Sequence, residues 1–592
     1  MSRLGSPPQV SSPALVSLAA LLATVALLPT PSHAVPSFTE LPRFGATSAT
    51  ICVAWGDADL DGRVDLAVGN TNNGQNFVYW NEGGNVFTEA AAFGPKNTFA
   101  LAWADVDNDG DPDMAIGNAL SLPQNRLAIN NGGRSFTGQN QFGVHQTIAM
   151  AWADYDRDGD LDLAVGNGIL TSPDQNYLYI NNGDGTWTEQ QQFGSGKTCS
   201  VVWGDVNGDG YPDLAVGKGG FGFVAQNYLY LNNGDGTFTE RADFGIGDTS
   251  CLAFGDYDND GDLDLAVANW NGGQSYLYVN DGAGNFTQQL QFGIGDPNTV
   301  AWGDADDDGD LDLAQGNGDF TSAAPNTLWV NNGDGTFTAS AQFGLGSTDA
   351  VAWGDADGDG DLDLASGNEH TPTQNYLYVN GSNDASWLAL HLVGHGYDHG
   401  AGYSNRDGVG AKVAVYAAGF LGDPAHLLGF REIEEHGGFS SQSQIDAHFG
   451  LPGRSAVDVR IVWPGSAGSH LTQDLLGVSV PGRFVIDEGP TVTSAPLVGA
   501  APASARIFPN PSRADVMLEL VRPASGAADL LVYDAAGRLV RRLHGVDAGA
   551  NVIRATWDGR GGDGRTTGAG VYFVRLPGAT KEAARIVRLS SR

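Results

Sequence analysis

Between residues 38 and 380, short apolar runs alternate with acidic and glycine-rich turns at a spacing of 48–51 residues. In the fourth copy, 198–203 is an apolar, β-prone run and 213–216 a shorter one. Residues 227–231 alternate as Asn-Tyr-Leu-Tyr-Leu, and Phe238-Thr239-Glu240 follows the turn Asn233-Gly234-Asp235-Gly236. Asn-Gly and Asp-Gly supply the positive-φ positions that tight hairpins need. Four short strands per copy at this period predict one propeller blade per repeat, and seven copies predict seven blades. The seventh copy stops after 375–380 without a Phe-Thr strand of its own. Ser37-Phe38-Thr39-Glu40 stands six residues before Phe44-Gly45, as Phe238-Thr239-Glu240 stands before Phe244-Gly245. The N-terminal strand is therefore expected to complete the last blade, which removes exposed sheet edges.

The pattern changes on either side of the repeats. Arg3, an apolar run at 14–28 and Ser32-His33-Ala34 form a signal-peptide pattern, with the mature chain starting at Val35. The run is too short for a membrane span, and no later segment is long and apolar enough to be one. The acidic repeat ends near 383, and a β-rich segment follows over 384–490. A Pro/Ala/Ser/Val-rich linker, 491–505, leads to a further strand pattern over 506–592. That last segment has 14 Lys+Arg against 8 Asp+Glu, opposite in sign to the rest of the chain, as suits a separately read tail.

The formal charge of −39, from 30 Lys+Arg and 69 Asp+Glu, excludes the basic footprint of a nucleic-acid binder. Three cysteines in 592 residues exclude a disulfide framework. Cys52 and Cys251 share one repeat position that is small in other copies, and Cys199 is one position off; all three are expected to be inert buried thiols. Much of the charge is concentrated in seven nine-residue runs, at 57–65, 105–113, 154–162, 205–213, 256–264, 304–312 and 355–363, which hold 33 of the 69 acidic residues.

Each run reads Asp-x-Asp/Asn-x-Asp-Gly-x-x-Asp. The candidate ligands are Asp57, Asp59, Asp61 and Asp65; Asp105, Asp107, Asp109 and Asp113; Asp154, Asp156, Asp158 and Asp162; Asp205, Asn207, Asp209 and Asp213; Asp256, Asp258, Asp260 and Asp264; Asp304, Asp306, Asp308 and Asp312; and Asp355, Asp357, Asp359 and Asp363. Carboxylates this dense repel one another unless a cation neutralises them. Hard oxygen ligands in a glycine-bearing loop suit Ca²⁺, so up to seven structural calcium ions are expected. The twelfth position of an EF-hand would be a bidentate Glu, whereas these runs have Val68, Ile116, Val165, Val216, Val267, Gln315 and Ser366 there. The flanks read as strands, so these are β-hairpin loops.

The Phe-Gly pairs, the Asp-x-Asp-x-Asp-Gly loops and the Asp-Leu-Ala-Val-Gly-Asn strands resemble the FG-GAP/VCBS repeats of integrin-type seven-bladed propellers. Four motifs of 384–490 resemble the ASPIC/UnbV domain: the Ser404–Ala411 loop, Gly437-Gly438-Phe439-Ser440, His448-Phe449-Gly450-Leu451 and Val462-Trp463-Pro464-Gly465. Phe508-Pro509-Asn510-Pro511, Thr556-Trp557-Asp558-Gly559 and Gly570-Val571-Tyr572-Phe573 resemble the FlgD-type Ig-like domain that serves as a C-terminal sorting signal in type IX secretion. The resemblances imply an all-β chain: a seven-bladed propeller over 35–383, an ASPIC/UnbV-like domain over 384–490 and an Ig-like β-sandwich over 506–592.

The recurrent tryptophans (Trp55, Trp103, Trp152, Trp203, Trp302, Trp353) are expected in the blade core, and the recurrent Asn70, Asn118, Asn167, Asn269, Asn317 and Asn368 on turns. Segments 71–74, 119–123, 168–174, 219–225, 270–273, 318–325 and 369–373 differ from copy to copy and fall on one face, which makes them the expected contact surface. Phe221, Phe223, Trp270 and Phe320 are the aromatic candidates there. In the second domain His391, His395, His399, His426, His436 and His448 gather without a metalloprotease or nucleophile-elbow motif. The Arg406-Asp407 and 440–443 segments are expected to pin turns. The resulting expectation is a secreted or cell-surface, calcium-binding adhesion or ligand-binding protein, not an enzyme. Its partners would be an extracellular glycan or protein and the secretion machinery that reads its C-terminal domain; it would bind no nucleic acid. The alternatives are a polysaccharide lyase or hydrolase on a calcium propeller, and a purely structural surface module.

Overall fold

The computed structural model describes residues 36–489 except 45–48, 121–122, 169–173, 221, 293, 319–323, 370–373, 383–385, 396–403, 435–440 and 466–470, together with strand segments between 506 and 588. The signal-peptide pattern and the linker lie outside the described residues. Apart from one 3-10 turn at Pro424–His426, the regular structure described is strand. No helix among the described residues is long and apolar enough to cross a membrane.

Besides three two-stranded ribbons, residues 38–380 form seven larger antiparallel sheets, here numbered one to seven in the order of their first strands: Thr50–Gly56, Thr98–Ala104, Thr147–Ala153, Thr198–Gly204, Thr249–Gly255, Pro297–Gly303 and Thr348–Gly354. Each first strand is a run of apolar or small residues, interrupted only by Asn298 in sheet six and Asp349 in sheet seven; it is covered on both faces and nearly every residue in it is buried. The outer strand of sheet seven is Phe38–Phe44, paired antiparallel with Asn375–Asn380 in the register Phe38 to Asn380 and Leu41 to Leu377. An N-terminal segment thus completes the sheet whose own repeat is one strand short.

Side chains link the sheets into a closed cycle. Trp103 Nε1 donates to Ala54 O, Trp152 to Ala102 O, Trp203 to Ala151 O, Trp302 to Ala253 O and Trp353 to Ala301 O. Trp55 closes the circle by donating to Ala352 O at 3.1 Å. Phe254 replaces the indole in sheet five and makes no such bond. The indoles need space: a Cβ on Gly56, Gly255, Gly303 or Gly354 would lie 2.8–3.0 Å from the neighbouring tryptophan ring. A second cycle runs through asparagines. Asn76, Asn125, Asn176, Asn227 and Asn326 each donate to the first-strand threonine of the following sheet, and Asn375 donates to Thr50. The cyclic order gives the repeats a propeller-like fold.

Residues 387–487 form two further sheets around one core. A three-stranded sheet (Ala447–Gly450, Trp387–Val393, Gly482–Asp487) faces a four-stranded one (Leu427–Glu432, Lys412–Ala417, Ala456–Trp463, Leu471–Ser479). Leu390, Val413, Phe449, Val459, Ile461 and Trp463 fill the space between them. Beyond 506 two four-stranded sheets share Leu518, Val532, Trp557 and Val574.

Candidate metal centres

Every acidic run is the hairpin between the first and second strands of its sheet, so the residue before it pairs with its ninth: Gly56 with Asp65, Ala104 with Asp113, Gly354 with Asp363. The loop folds around its first carboxylate. Asp57 accepts the N–H groups of Asp61 and Gly62 at 3.0 and 2.9 Å, and Asp105, Asp154, Asp205, Asp256 and Asp304 accept the equivalent pair. The sixth residue turns the chain at φ between 89° and 101°, where an L side chain is strained, which is why all seven are glycine.

The ninth carboxylate anchors the loop to the sheet. Asp65 accepts Ala58 N–H at 3.1 Å and Asn81 N–H at 2.8 Å. The same Asn81 reaches back to the preceding loop, its Nδ2 donating to Ala356 O at 2.7 Å. Asn130, Asn181, Asn232, Asn280, Asn331 and Asn380 repeat both contacts. These seven asparagines tie each loop to its neighbour, and the sequence reading passed over them. Their signal was a recurrent Asn immediately before the Asn-Gly or Asp-Gly turn.

At the third position, Asp59 Oδ1, Asp156 Oδ1, Asp357 Oδ1 and both oxygens of Asp306 are buried with no hydrogen-bond partner. Asp306 is 4% exposed. A buried carboxylate without donors is costly, and a cation is the partner that removes the cost. Three carboxylate oxygens lie within 4.8 Å of one another in groups that include Asp57/Asp59/Asp61, Asp105/Asp107/Asp113, Asp154/Asp156/Asp162, Asp256/Asp258/Asp260 and Asp304/Asp306/Asp308. The donors are all hard oxygens, so the residues fit a divalent cation of the calcium type. In the fourth loop Asn207 Oδ1 accepts Asp209 N–H at 2.9 Å, which keeps the loop shape with one charge fewer.

Burial, reinforced by the neighbouring carboxylates, pushes Asp65 and Asp113 up to about 8 and Asp264 up to about 9. Asp162, Asp312 and Asp363 are driven well above the ordinary range for the same reasons. Without a cation, burial therefore favours the protonated form of these ninth-position carboxyls. A bound divalent cation would favour the ionised form instead.

The face that carries the loops is covered by the second domain. Ser441 and Gln442 add a short parallel strand to sheet one, opposite Val53 and Ala54. Gln442 exchanges hydrogen bonds with the Trp103 backbone, and Ser443 and Gln444 bind the Trp353 backbone. Asp105 N–H donates to Asp407, with Arg406 3.6 Å from the Asp105 carboxylate. Asp205 N–H donates to Glu432, and Lys412 Nζ donates to Asp205 Oδ2 at 2.7 Å. Gly450 N–H donates to Asp304 Oδ2, and Asp355 N–H to Gln444. Arg483 binds Gly62 O, His448 lies 2.8 Å from Gly360 O, and Arg157 of the third loop reaches Gly465 O. The sequence reading placed Arg406-Asp407 and 440–443 on turns within their own domain. Arg406 and Asp407 do stand on a turn, while Ser441 and Gln442 form a strand, and all four with Ser443 also contact the repeats.

The described histidines do not converge. His391 pairs with Asp446 at 3.0 Å, His426 with Asp423 on the 3-10 turn, and His448 contacts the seventh loop. Burial opposes ionisation of Asp446, yet Arg483 and His391 hold its carboxyl well below the usual range. His399 and His436 lie outside the described residues.

On the opposite face, Asn70 Nδ2 donates to Gln75 O while its Oδ1 accepts from Thr50, the turn role expected of it. Trp270 is buried, 8% exposed, which removes it from the aromatic contact candidates, whereas Phe223 is 48% exposed with Lys197 Nζ 4.5 Å over its ring. Phe221 and Phe320 lie outside the described residues. Cys52, Cys199 and Cys251 are buried free thiols, and burial pushes Cys199 up to about 12.

Comparison with protein families matches an FG-GAP-like repeat at 57–116, 169–216, 221–267, 256–314 and 316–366, and an FG-GAP repeat at 200–237. The ASPIC and UnbV family matches 401–492, beginning after the first strand of the second domain, Trp387–Val393. No curated protein matches the chain. Among solved structures, BBS1N in complex with ARL6DN has 11% identity and a TM-score of 0.40, over 59% of this chain and 98% of that one. An ancestral GH74 enzyme has 11% identity and a TM-score of 0.38, over 94% and 85%. Puromycin hydrolase has 14% identity and a TM-score of 0.31, over 55% and 51%. These scores are too low to bear on function. By its repeats, its loops and its second domain, the chain is an FG-GAP repeat protein that carries an ASPIC and UnbV domain.

Proposed function

We propose that this is a secreted or cell-surface adhesion or ligand-binding protein built on a calcium-stabilised, seven-bladed propeller. Its partner is an extracellular glycan or protein, bound without turnover. The signal-peptide pattern at 1–34 and a sorting function for 506–592 complete the reading.

One observation carries it. The second and third strands of each sheet are joined at the end away from the acidic loops, and so are successive sheets. At that end Leu120, Val144, Phe223, Val224, Ile246 and Leu345 are each 41–70% exposed. Leu120, Phe223 and Val224 lie in the segments that differ between repeats, while Val144, Ile246 and Leu345 follow the recurrent Phe-Gly pair. Large apolar side chains exposed at the end opposite the second domain support a contact surface there. The loops on the covered end would hold Ca²⁺ through the carboxylates at positions one, three, five and nine, supplying the positive charge that the folded loops lack.

The test is an array of glycans and extracellular-matrix proteins probed with the calcium-loaded chain. Specific binding that is lost in a Phe223→Ala/Ile246→Ala variant supports the reading. Release of product from a polysaccharide would replace it with the enzymatic alternative.

A further inference from the structure

The first Asp of each loop has two sides. Its carboxylate belongs to the candidate metal set, and in four loops its backbone N–H, its carboxylate or both meet the second domain. In the second loop Asp407 takes the N–H at 2.6 Å and Arg406 approaches the carboxylate at 3.6 Å. In the fourth loop Glu432 takes the N–H at 3.1 Å and Lys412 takes the carboxylate at 2.7 Å. Gln444 takes the N–H of Asp355 at 2.8 Å, and Gly450 N–H takes the carboxylate of Asp304 at 2.7 Å. One non-repeating domain thus reads the same repeat position four times, with different residues each time.

Charge fixes the direction of the coupling. Of the bases this domain brings to the face, Lys412 lies 3.9 Å from its own Glu432 and Arg483 pairs with its own Asp446, so their charge is shared between the loops and the domain's own acids. The domain also sets the Asp407 and Glu432 carboxylates against Asp105 and Asp205, a like-charge approach that is unfavourable at short range. Asp306 is 4% exposed with neither oxygen hydrogen-bonded, and a cation would supply the partner it lacks.

We propose that the ASPIC and UnbV domain docks on the cation-loaded loops, so that divalent cations act as the cement between the two domains and their removal frees the second domain from the repeats. This rests on the reading of the loops as calcium sites. By linkage the coupling is reciprocal: whatever loosens the docked domain weakens cation binding by the same factor.

The experiment is amide hydrogen exchange of the full chain in calcium and in EGTA, with calcium binding measured in parallel by equilibrium dialysis. Chelation is expected to raise exchange at Asp105, Asp205, Asp355 and 441–444 by about ten-fold or more relative to the inner strand Asp162–Asn167, as local opening does. In calcium, a Lys412→Met/Glu432→Gln variant is expected to expose the same amides in part and to lower calcium affinity; Gln444→Ala repeats the test at another loop. Calcium binding with unchanged exchange in EGTA overturns the proposal while leaving the metal reading standing. No calcium binding overturns both.

Discussion

The two ends of the ring are built by opposite rules. At one end the sequence repeats: seven loops with the same carboxylates except Asn207, the same glycine and the same asparagine ties. That end is covered by a domain that does not repeat. At the other end the segments between second and third strands differ from sheet to sheet, and Leu120, Phe223 and Val224 in them are exposed. The difference teaches that repetition here marks what holds the ring together. Recognition, by the next domain or by a ligand, is left to residues that occur once.

Cation removal is the strongest way to break this comparison. A ligand at one hundred times its Kd adds ~2.7 kcal/mol per site. EDTA is therefore expected to lower the melting temperature by ~10 °C or more, since each kcal/mol is worth ~2–4 °C in a domain of this size. An unchanged thermogram would show that the repeated end needs no ion.

pH sharpens the same point. The folded values of Asp65, Asp113 and Asp264, about 8, 8 and 9, stand above the unfolded aspartate value of ~3.9. In EDTA their contribution is fully present below pH ~3.9 and is lost as pH rises through those folded values. The metal-free protein should therefore melt at progressively lower temperature from pH 5 to 9, and the increment added by calcium should grow over the same interval. Scanning calorimetry with and without EDTA checks both slopes. A metal-free protein that gains stability across this range would contradict the burial of these carboxyls.

Next in size are the loop ties. Asn81→Ala removes donors to Ala356 O and Val64 O and the acceptor for Gly83 N–H. Leaving such buried groups unpaired is expected to cost ~2–3 kcal/mol in urea unfolding. The smallest expected effect lies at the other end. Phe223→Ala should change stability by less than ~0.5 kcal/mol, as exposed positions do, while reducing ligand capture on the array. A large loss of stability there would mean that the open end is structural too.

Much of this organisation was legible in the sequence because it is local and repeated. The strand order within a repeat, the carboxylate loops and the missing strand of the last copy all follow from short patterns read seven times. Trp270 was misjudged because its segment is unique, and nothing in its own neighbours says which way the indole turns. The docking of Arg406, Asp407 and Gln442–Gln444 was invisible for a deeper reason. Its side-chain hydrogen bonds join residues 89 to 339 positions apart, the longest being the bond between Gln442 and Trp103. No periodicity connects the two partners, and each also makes sense as an ordinary turn residue. The seven asparagine ties were periodic, but the hairpin turn beside them offered a sufficient explanation for every Asn.

The closing strand also sets a timetable. Phe38–Phe44 is made first, but its partner Asn375–Asn380 is made only after six other repeats, and Trp55 waits 297 residues for the carbonyl of Ala352. Contacts of such range form late, because the entropy of the intervening loop must be lost before the pairing returns anything. Until then the chain carries an open edge at each end of an unfinished array, the state most exposed to wrong partners. A nascent molecule of this design is therefore committed to folding after synthesis of its repeats rather than during it, and its most vulnerable moment is the interval before its two ends meet.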